Sequence, residues 1–147
     1  MMKAAKQLEG FTLIELLIVM AILAIIGTIA LPAYLGYVQE AKIHAAMQNS
    51  EPLHLALESY FLDNSSYVAG TWVPDGTQTL QTGPLGWRPD GDGNKYTYTV
   101  AAGDGGIATS YTITVQSLDG DATITCTRDA AASTYGCSTP AATTPAP

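Results

Sequence analysis

Glu15 is the one ionisable side chain in the apolar run FTLIELLIVMAILAIIGTIAL, residues 11–31. A carboxylate in hydrocarbon is costly unless it is paired, although one near the interface can snorkel to water. Cys126 and Cys137 are the only cysteines, with ten residues between them. That spacing suits a structural disulfide, since a redox-active pair needs close Cys-x-x-Cys spacing and an activating environment. The run Asp90-Gly91-Asp92-Gly93-Asn94 sets oxygen ligands at alternate positions, like the start of an EF-hand loop. Lys95 stands where that loop needs glycine, and Ala101 where it needs a bidentate glutamate, so an EF-hand is excluded. A looser Ca²⁺ site on Asp90, Asp92 and Asn94 is the only cofactor candidate, set against the simpler reading of a tight Asp-Gly turn. His44 and His54 lie ten residues apart, about 2.8 helical turns, on different faces that cannot share a metal. Both read as helix-surface residues. No nucleophile–base–acid set and no phosphate loop appears, so no enzyme is expected.

The chain has 147 residues, with 13 acidic and 6 basic side chains and a net charge of −7. Nucleic-acid binding draws on clustered Lys and Arg, so no nucleic-acid partner is expected. Two cysteines and two histidines are too few for a zinc or iron–sulfur centre. Charged residues make up only 13% of the chain, about half the usual share.

That average hides a sharp division. About 20 apolar residues in a helix span the ~30 Å of a bilayer's hydrocarbon core. Lys3 and Lys6 precede the run, which predicts a cytoplasmic N-terminal end with the bulk of the chain across the membrane. A cleaved secretory signal is disfavoured by the length of the run and the lack of a clean Ala-x-Ala site. A plain anchor leaves Glu15 hard to explain. Good helix formers continue through residues 33–62, with Ala46, Leu53, Leu57 and Tyr60 on one face and Lys42, Asn49, Glu51 and Glu58 opposite. We therefore expect one helix over about 12–62, apolar all round in its first half and amphipathic in its second. The second half should pack on a globular domain while the first protrudes. Pro32 and Pro52 each remove a helical donor and should bend it.

Residues 64–95 read as a loop, with Trp72 and Trp87 packing onto the head. Period-2 alternation over 95–100, 110–117 and 122–127 predicts antiparallel strands, with Tyr96, Tyr98, Val100, Tyr111, Ile113, Val115, Ile124 and Cys126 facing inward. Asp119-Gly120 and the stretch from Gly103 to Gly106 mark the turns between them. A head of this size has a marginal core, and a Cys126–Cys137 disulfide is the expected reinforcement.

Gly10 followed by Phe11-Thr12-Leu13-Ile14-Glu15 resembles the prepilin motif of type IV pilins and type II secretion pseudopilins. Pro32, Tyr34 and Tyr37 also match family positions; Ala24 stands where many members have glycine. The resemblance implies cleavage after Gly10 by a prepilin peptidase and N-methylation of Phe11. It makes Glu15 the fifth residue of the mature chain, positioned to neutralise the new amine of a neighbouring subunit and so fix the register of assembly. It implies a gently curved helix that loosens near Pro32 in a filament, and a surface-exposed C-terminal disulfide loop.

The expected fold is α+β: a long N-terminal helix packed on a small antiparallel sheet. Its parts are a leader (1–10), an apolar membrane and assembly helix (11–32), an amphipathic half (33–63), a disulfide-bearing head (64–137) and a Ser/Thr/Pro tail (138–147) that is extended and open to O-glycosylation. The expected partners are copies of itself in a helical filament, the inner membrane before assembly, the peptidase and the pilus assembly machinery. The chain is expected in the bacterial inner membrane with its head periplasmic, then in an extracellular pilus. The resemblance offers adhesion, twitching motility and uptake collectively, with direct DNA capture least favoured by the acidic head. A type II secretion pseudopilin, a minor priming pilin and an uncleaved single-span sensor are the alternatives.

Overall fold

The computed structural model describes residues 11–129 and 133–139. The leader with Gly10, and positions 140–147 of the tail, lie outside the described residues.

Helix α1 runs Leu13–Asn64, 52 residues, through both Pro32 and Pro52 without a break. At Pro32 the Thr28 carbonyl loses its helical donor; the Thr28 hydroxyl meanwhile donates to the Ala24 carbonyl at 2.7 Å. The chain forms two compact units divided after Val38. In the first, large apolar side chains from Phe11 to Tyr37 are 50–88% exposed. This stretch of α1 is long and apolar enough to cross a membrane.

The second unit is built on a five-stranded antiparallel meander in the order β1-β2-β3-β4-β5: Gly70–Trp72, Tyr96–Ala102, Tyr111–Ser117, Thr123–Asp129 and Thr134–Ser138. A short helix α2, Thr79–Thr82, and a 3-10 turn, Gly91–Lys95, precede β2. The three middle strands form where alternation predicts them. Gly120, at φ +78°, turns β3 into β4, with the Ser117 amide donating to the Ala122 carbonyl. The α+β architecture is thus as the sequence predicts.

β1 and β5 have no counterpart in the sequence reading. Only three residues of β1 pair, and Trp72 alone supplies inward bulk. β5 has Gly136 at its centre, which weakens intrinsic strand preference, and it forms in register with β4, Cys126 opposite Cys137.

The core joins Leu53 and Leu57 of α1 to Tyr98, Val100, Tyr111, Ile113, Val115, Ile124 and Cys126 of the sheet. The buried stripe of α1 is Ala46, Ser50, Leu53 and Leu57. Tyr60 is only partly buried and lies outside the core; Phe61 packs there instead. Helical geometry sets residues 60 and 61 about equally far to either side of the stripe. Tyr67 breaks the tie, because its ring stacks on Phe61 with centroids 4.5 Å apart. Trp72 is buried and Trp87 partly so, each edge-on to Tyr98.

Candidate functional site

Two groups of polar side chains stand out, one at the start of α1 and one where α1 meets the last two strands.

At the start of α1, Thr12 and Glu15 form a reciprocal cap. The Glu15 amide donates to Thr12 Oγ1 at 3.3 Å, while Glu15 Oε2 accepts from the Thr12 amide at 3.4 Å and from the Thr12 hydroxyl at 3.3 Å. A Thr-x-x-Glu cap of this kind satisfies amide donors that have no partner within the helix. Glu15 therefore has a local role independent of any neighbour, which the sequence reading did not draw from the same four residues. The signal was present in the spacing. Phe11, at 86% exposure, directly precedes the cap.

Glu58 gathers the second group. Its Oε1 accepts from Arg128 Nε on β4 at 3.1 Å, from the Tyr67 hydroxyl at 3.1 Å and from the Tyr111 hydroxyl of β3 at 3.4 Å. Arg128 in turn donates from Nη1 to the carbonyls of Asp129 and Thr134. One carboxylate thus ties the helix directly to the Tyr67 segment, β3 and β4, and through Arg128 to the start of β5. His54 is no simple surface residue: its ring stacks on Tyr135 of β5 at 3.7 Å, and its Nδ1 hydrogen-bonds to the Tyr111 hydroxyl. Burial pushes its pKa below the ordinary value, outweighing the opposite pull of Glu58 and Glu51. Burial also raises the Tyr111 hydroxyl well above its ordinary range, with the Glu58 charge adding to the effect. His44, by contrast, is exposed.

The Cys126–Cys137 disulfide joins β4 to β5 at facing positions. Cys126 is fully buried with the Ser50 hydroxyl 3.6 Å from its sulfur; the Tyr135 hydroxyl lies 3.5 Å from that of Ser50 and 3.7 Å from the Cys137 sulfur. The bridge fixes the outermost strand of the hairpin to the core.

Lys42 is not on a solvated face either. Its ammonium pairs with Asp119 and, at 3.0 Å, with Asp121, clamping the β3–β4 turn to α1. The hydrogen bond from Lys42, helped by one from Ser117, holds the Asp119 carboxyl down at about 2. The Tyr96 hydroxyl adds a bond to the Lys42 carbonyl. The opposite-face expectation fails for Lys42 because it lies eighteen residues, about five full turns, before Tyr60 and so flanks the buried stripe; Glu58 does lie well round the helix, and its long side chain reaches back to partners on the sheet.

The segment with Asp90, Asp92 and Asn94 is the 3-10 turn Gly91–Lys95. Asp92 pairs with Lys95 Nζ at 2.8 Å. Gly93 is buried at a close approach, where an added Cβ would come within 2.8 Å of Pro89 and 3.2 Å of the Tyr98 hydroxyl. Among the described residues no group of three His, Cys, Asp or Glu side chains is placed to hold a metal.

Two family models match the chain. Residues 9–31 match the prokaryotic N-terminal methylation motif, and residues 32–130 match a family described as type IV minor pilin ComP, DNA uptake sequence receptor. Among curated proteins, the type IV major pilin protein PilE of Neisseria gonorrhoeae is 41% identical over 69 residues, 47% of this chain and 38% of its own length. A fimbrial protein of Pseudomonas aeruginosa is 38% identical over 73 residues, 50% of this chain and 47% of its own. The type IV major fimbrial protein FimA of Dichelobacter nodosus is 40% identical over 55 residues, 37% of this chain and 35% of its own. The chain thus spans less than half the length of these relatives. No solved structure matches it. Methylation motif, apolar helix, antiparallel sheet and terminal disulfide occur in one chain whose greater part matches a pilin model, and the chain belongs to the type IV pilins.

Proposed function

We propose that this chain is the structural subunit of a type IV pilus, cleaved after Gly10, N-methylated at Phe11 and polymerised through its apolar helix into a surface filament. The observation that carries the reading is the large exposed apolar surface of residues 11–37, interrupted by Glu15 alone. So much exposed apolar area needs a partner: first the bilayer, then the same helices of neighbouring subunits. Cleavage would leave a positive amine on Phe11. Each charge is unfavourable alone in an apolar bundle, and the pair is tolerable, so Glu15 sets the register between subunits. Pro32, where the helix lacks a donor, is the point at which α1 extends on assembly. Adhesion, motility and uptake are functions of the filament as a whole.

The reciprocal cap makes a sharp test available. Glutamine serves in such a cap as glutamate does, but carries no charge. Glu15→Gln keeps the helix start and should still lose filaments, as should Glu15→Ala. Sheared surface fractions, scored beside the membrane-inserted pool, read this directly. Normal filament yield from Glu15→Gln would overturn the register role. N-terminal sequencing should begin at methylated Phe11.

A second reading follows from the matched family's description: this chain as a receptor for DNA. The described cations argue against it. Lys42, Lys95 and Arg128 are each paired with carboxylates, leaving Arg88 as the one exposed cation without an ion pair among the described residues. Phosphate contacts supply most of the affinity for duplex DNA. Fluorescence anisotropy with labelled duplex should therefore show no saturable binding at physiological salt; tight, sequence-dependent binding would favour the receptor.

A further inference from the structure

The outward face of the sheet carries a continuous row of hydroxyls. Pairing places Thr71 opposite Thr99, Thr99 opposite Thr114, Thr114 opposite Thr125, and Thr125 opposite Ser138, one residue from each of the five strands. No hydrogen bond ties the Thr99, Thr114 or Thr125 hydroxyl to another described residue. The outward positions of β2, of β3 and of β4 as far as residue 127 carry no charged side chain, in a protein with 13 acids. The first outward charge along β4 is Asp129, at its end.

We propose that this face is a lateral docking surface for a second copy of the same head, through which neighbouring filaments associate. The proposal rests on the filament reading above. Three observations select this occupant. Copies of so acidic a chain repel one another, and a charge-free patch is where they can approach most closely. Each threonine hydroxyl both donates and accepts, so the row is self-complementary across a two-fold axis. Strands stand about 4.8 Å apart, and an identical face repeats its hydroxyls at the same interval. Sheets are also twisted, and twisted sheets pack face to face with their strands nearly aligned. A second copy of this sheet has that twist by identity. Gly136, on the outward side of β5, leaves room for close approach. A single contact of this kind is weak, but a filament presents many in a row, and linked weak contacts add to a strong one.

Two-speed sedimentation of sheared filaments tests the proposal. High-speed pellets report filaments, and low-speed pellets report bundles. Wild-type material should pellet at low speed, undiminished by added salt. The triple variant Thr99→Glu, Thr114→Glu, Thr125→Glu should pellet only at high speed, a several-fold loss of bundles at unchanged filament yield. The double variant Thr99→Lys, Thr125→Lys gives the same readout with the opposite charge, should the acidic variant assemble poorly. Bundling that persists in both variants, or wild-type filaments that never bundle, overturns the docking face while leaving the filament reading intact. Absence of any high-speed pellet from the wild type overturns both. A bundle dispersed by glycosidase rather than by the substitutions would assign the contact to attached sugar and overturn the proposal.

Discussion

Glu58 on the helix and Arg128 on β4 are 70 residues apart in sequence and form an ion pair at 3.1 Å, with both side chains largely sheltered. The same carboxylate oxygen accepts two tyrosine hydroxyls, so losing it strands several donors at once. Hydrogen bonds to charged groups contribute about 1.5–3 kcal/mol each, and an unsatisfied donor adds its own desolvation cost. Glu58→Ala should therefore destabilise the head by about 2–4 kcal/mol. Thermal unfolding of the full chain in detergent, followed by near-ultraviolet circular dichroism, measures this. Arg128→Lys keeps the charge but loses the geometry that also serves the Asp129 and Thr134 carbonyls, and should fall between the two.

His54 predicts a pH dependence of known sign. Burial lowers its pKa in the folded state, so the unfolded chain binds more protons once pH falls below the ordinary value of 6.5. The groups facing it are Glu58 and Glu51 on its own helix, Arg128 on β4, Tyr111 on β3 and Tyr135 on β5. Stability should decline as pH drops from 7 toward 5. In His54→Gln that decline should be much shallower. Equal slopes in the two proteins would remove His54 as the cause.

The Lys42 clamp acts in two other pH windows. Asp119 is depressed from 3.8 to about 2, so its contribution is complete above 3.8 and fades as pH falls toward 2. Lys42 is raised above 10.5 by the same partners, so its contribution fades only as pH rises beyond that value. Lys42→Met should flatten both limbs and lower the salt sensitivity of unfolding. Exchange of the amides in the β3–β4 turn should rise in the variant, because the turn loses its tie to α1.

The Cys126–Cys137 bridge closes a short loop, and on the chain-entropy estimate contributes about 2–3 kcal/mol. Cys126→Ala with Cys137→Ala should lower the unfolding midpoint accordingly. Hydrogen exchange should report the loss first in β5, an edge strand whose Gly136 gives it little intrinsic preference.

Much was legible in the sequence because periodicity is a local property. Twenty-one residues with one charge have the length and composition of a membrane-spanning helix, and Tyr-Thr-Tyr-Thr-Val or Tyr-Thr-Ile-Thr-Val presents one apolar face as a strand. The order of helix and middle strands follows from such runs, the two turns from the glycines between them, and the disulfide from a sequence with just two cysteines. Edge strands escaped because partners create them: three residues ending in Trp72, and five around Gly136, have no pattern of their own. The same holds for the polar groups. Thr12-x-x-Glu15 is a local cap readable from spacing, but the sheet-side hydrogen-bond partners of Glu58, Lys42 and His54 lie 53 to 79 residues away, on β3, β4 and the turn between them. Chain pattern assigns a face to each residue. Only folding decides which long side chains reach across that face and find an opposite charge, because that choice depends on distances set by the sheet and its register.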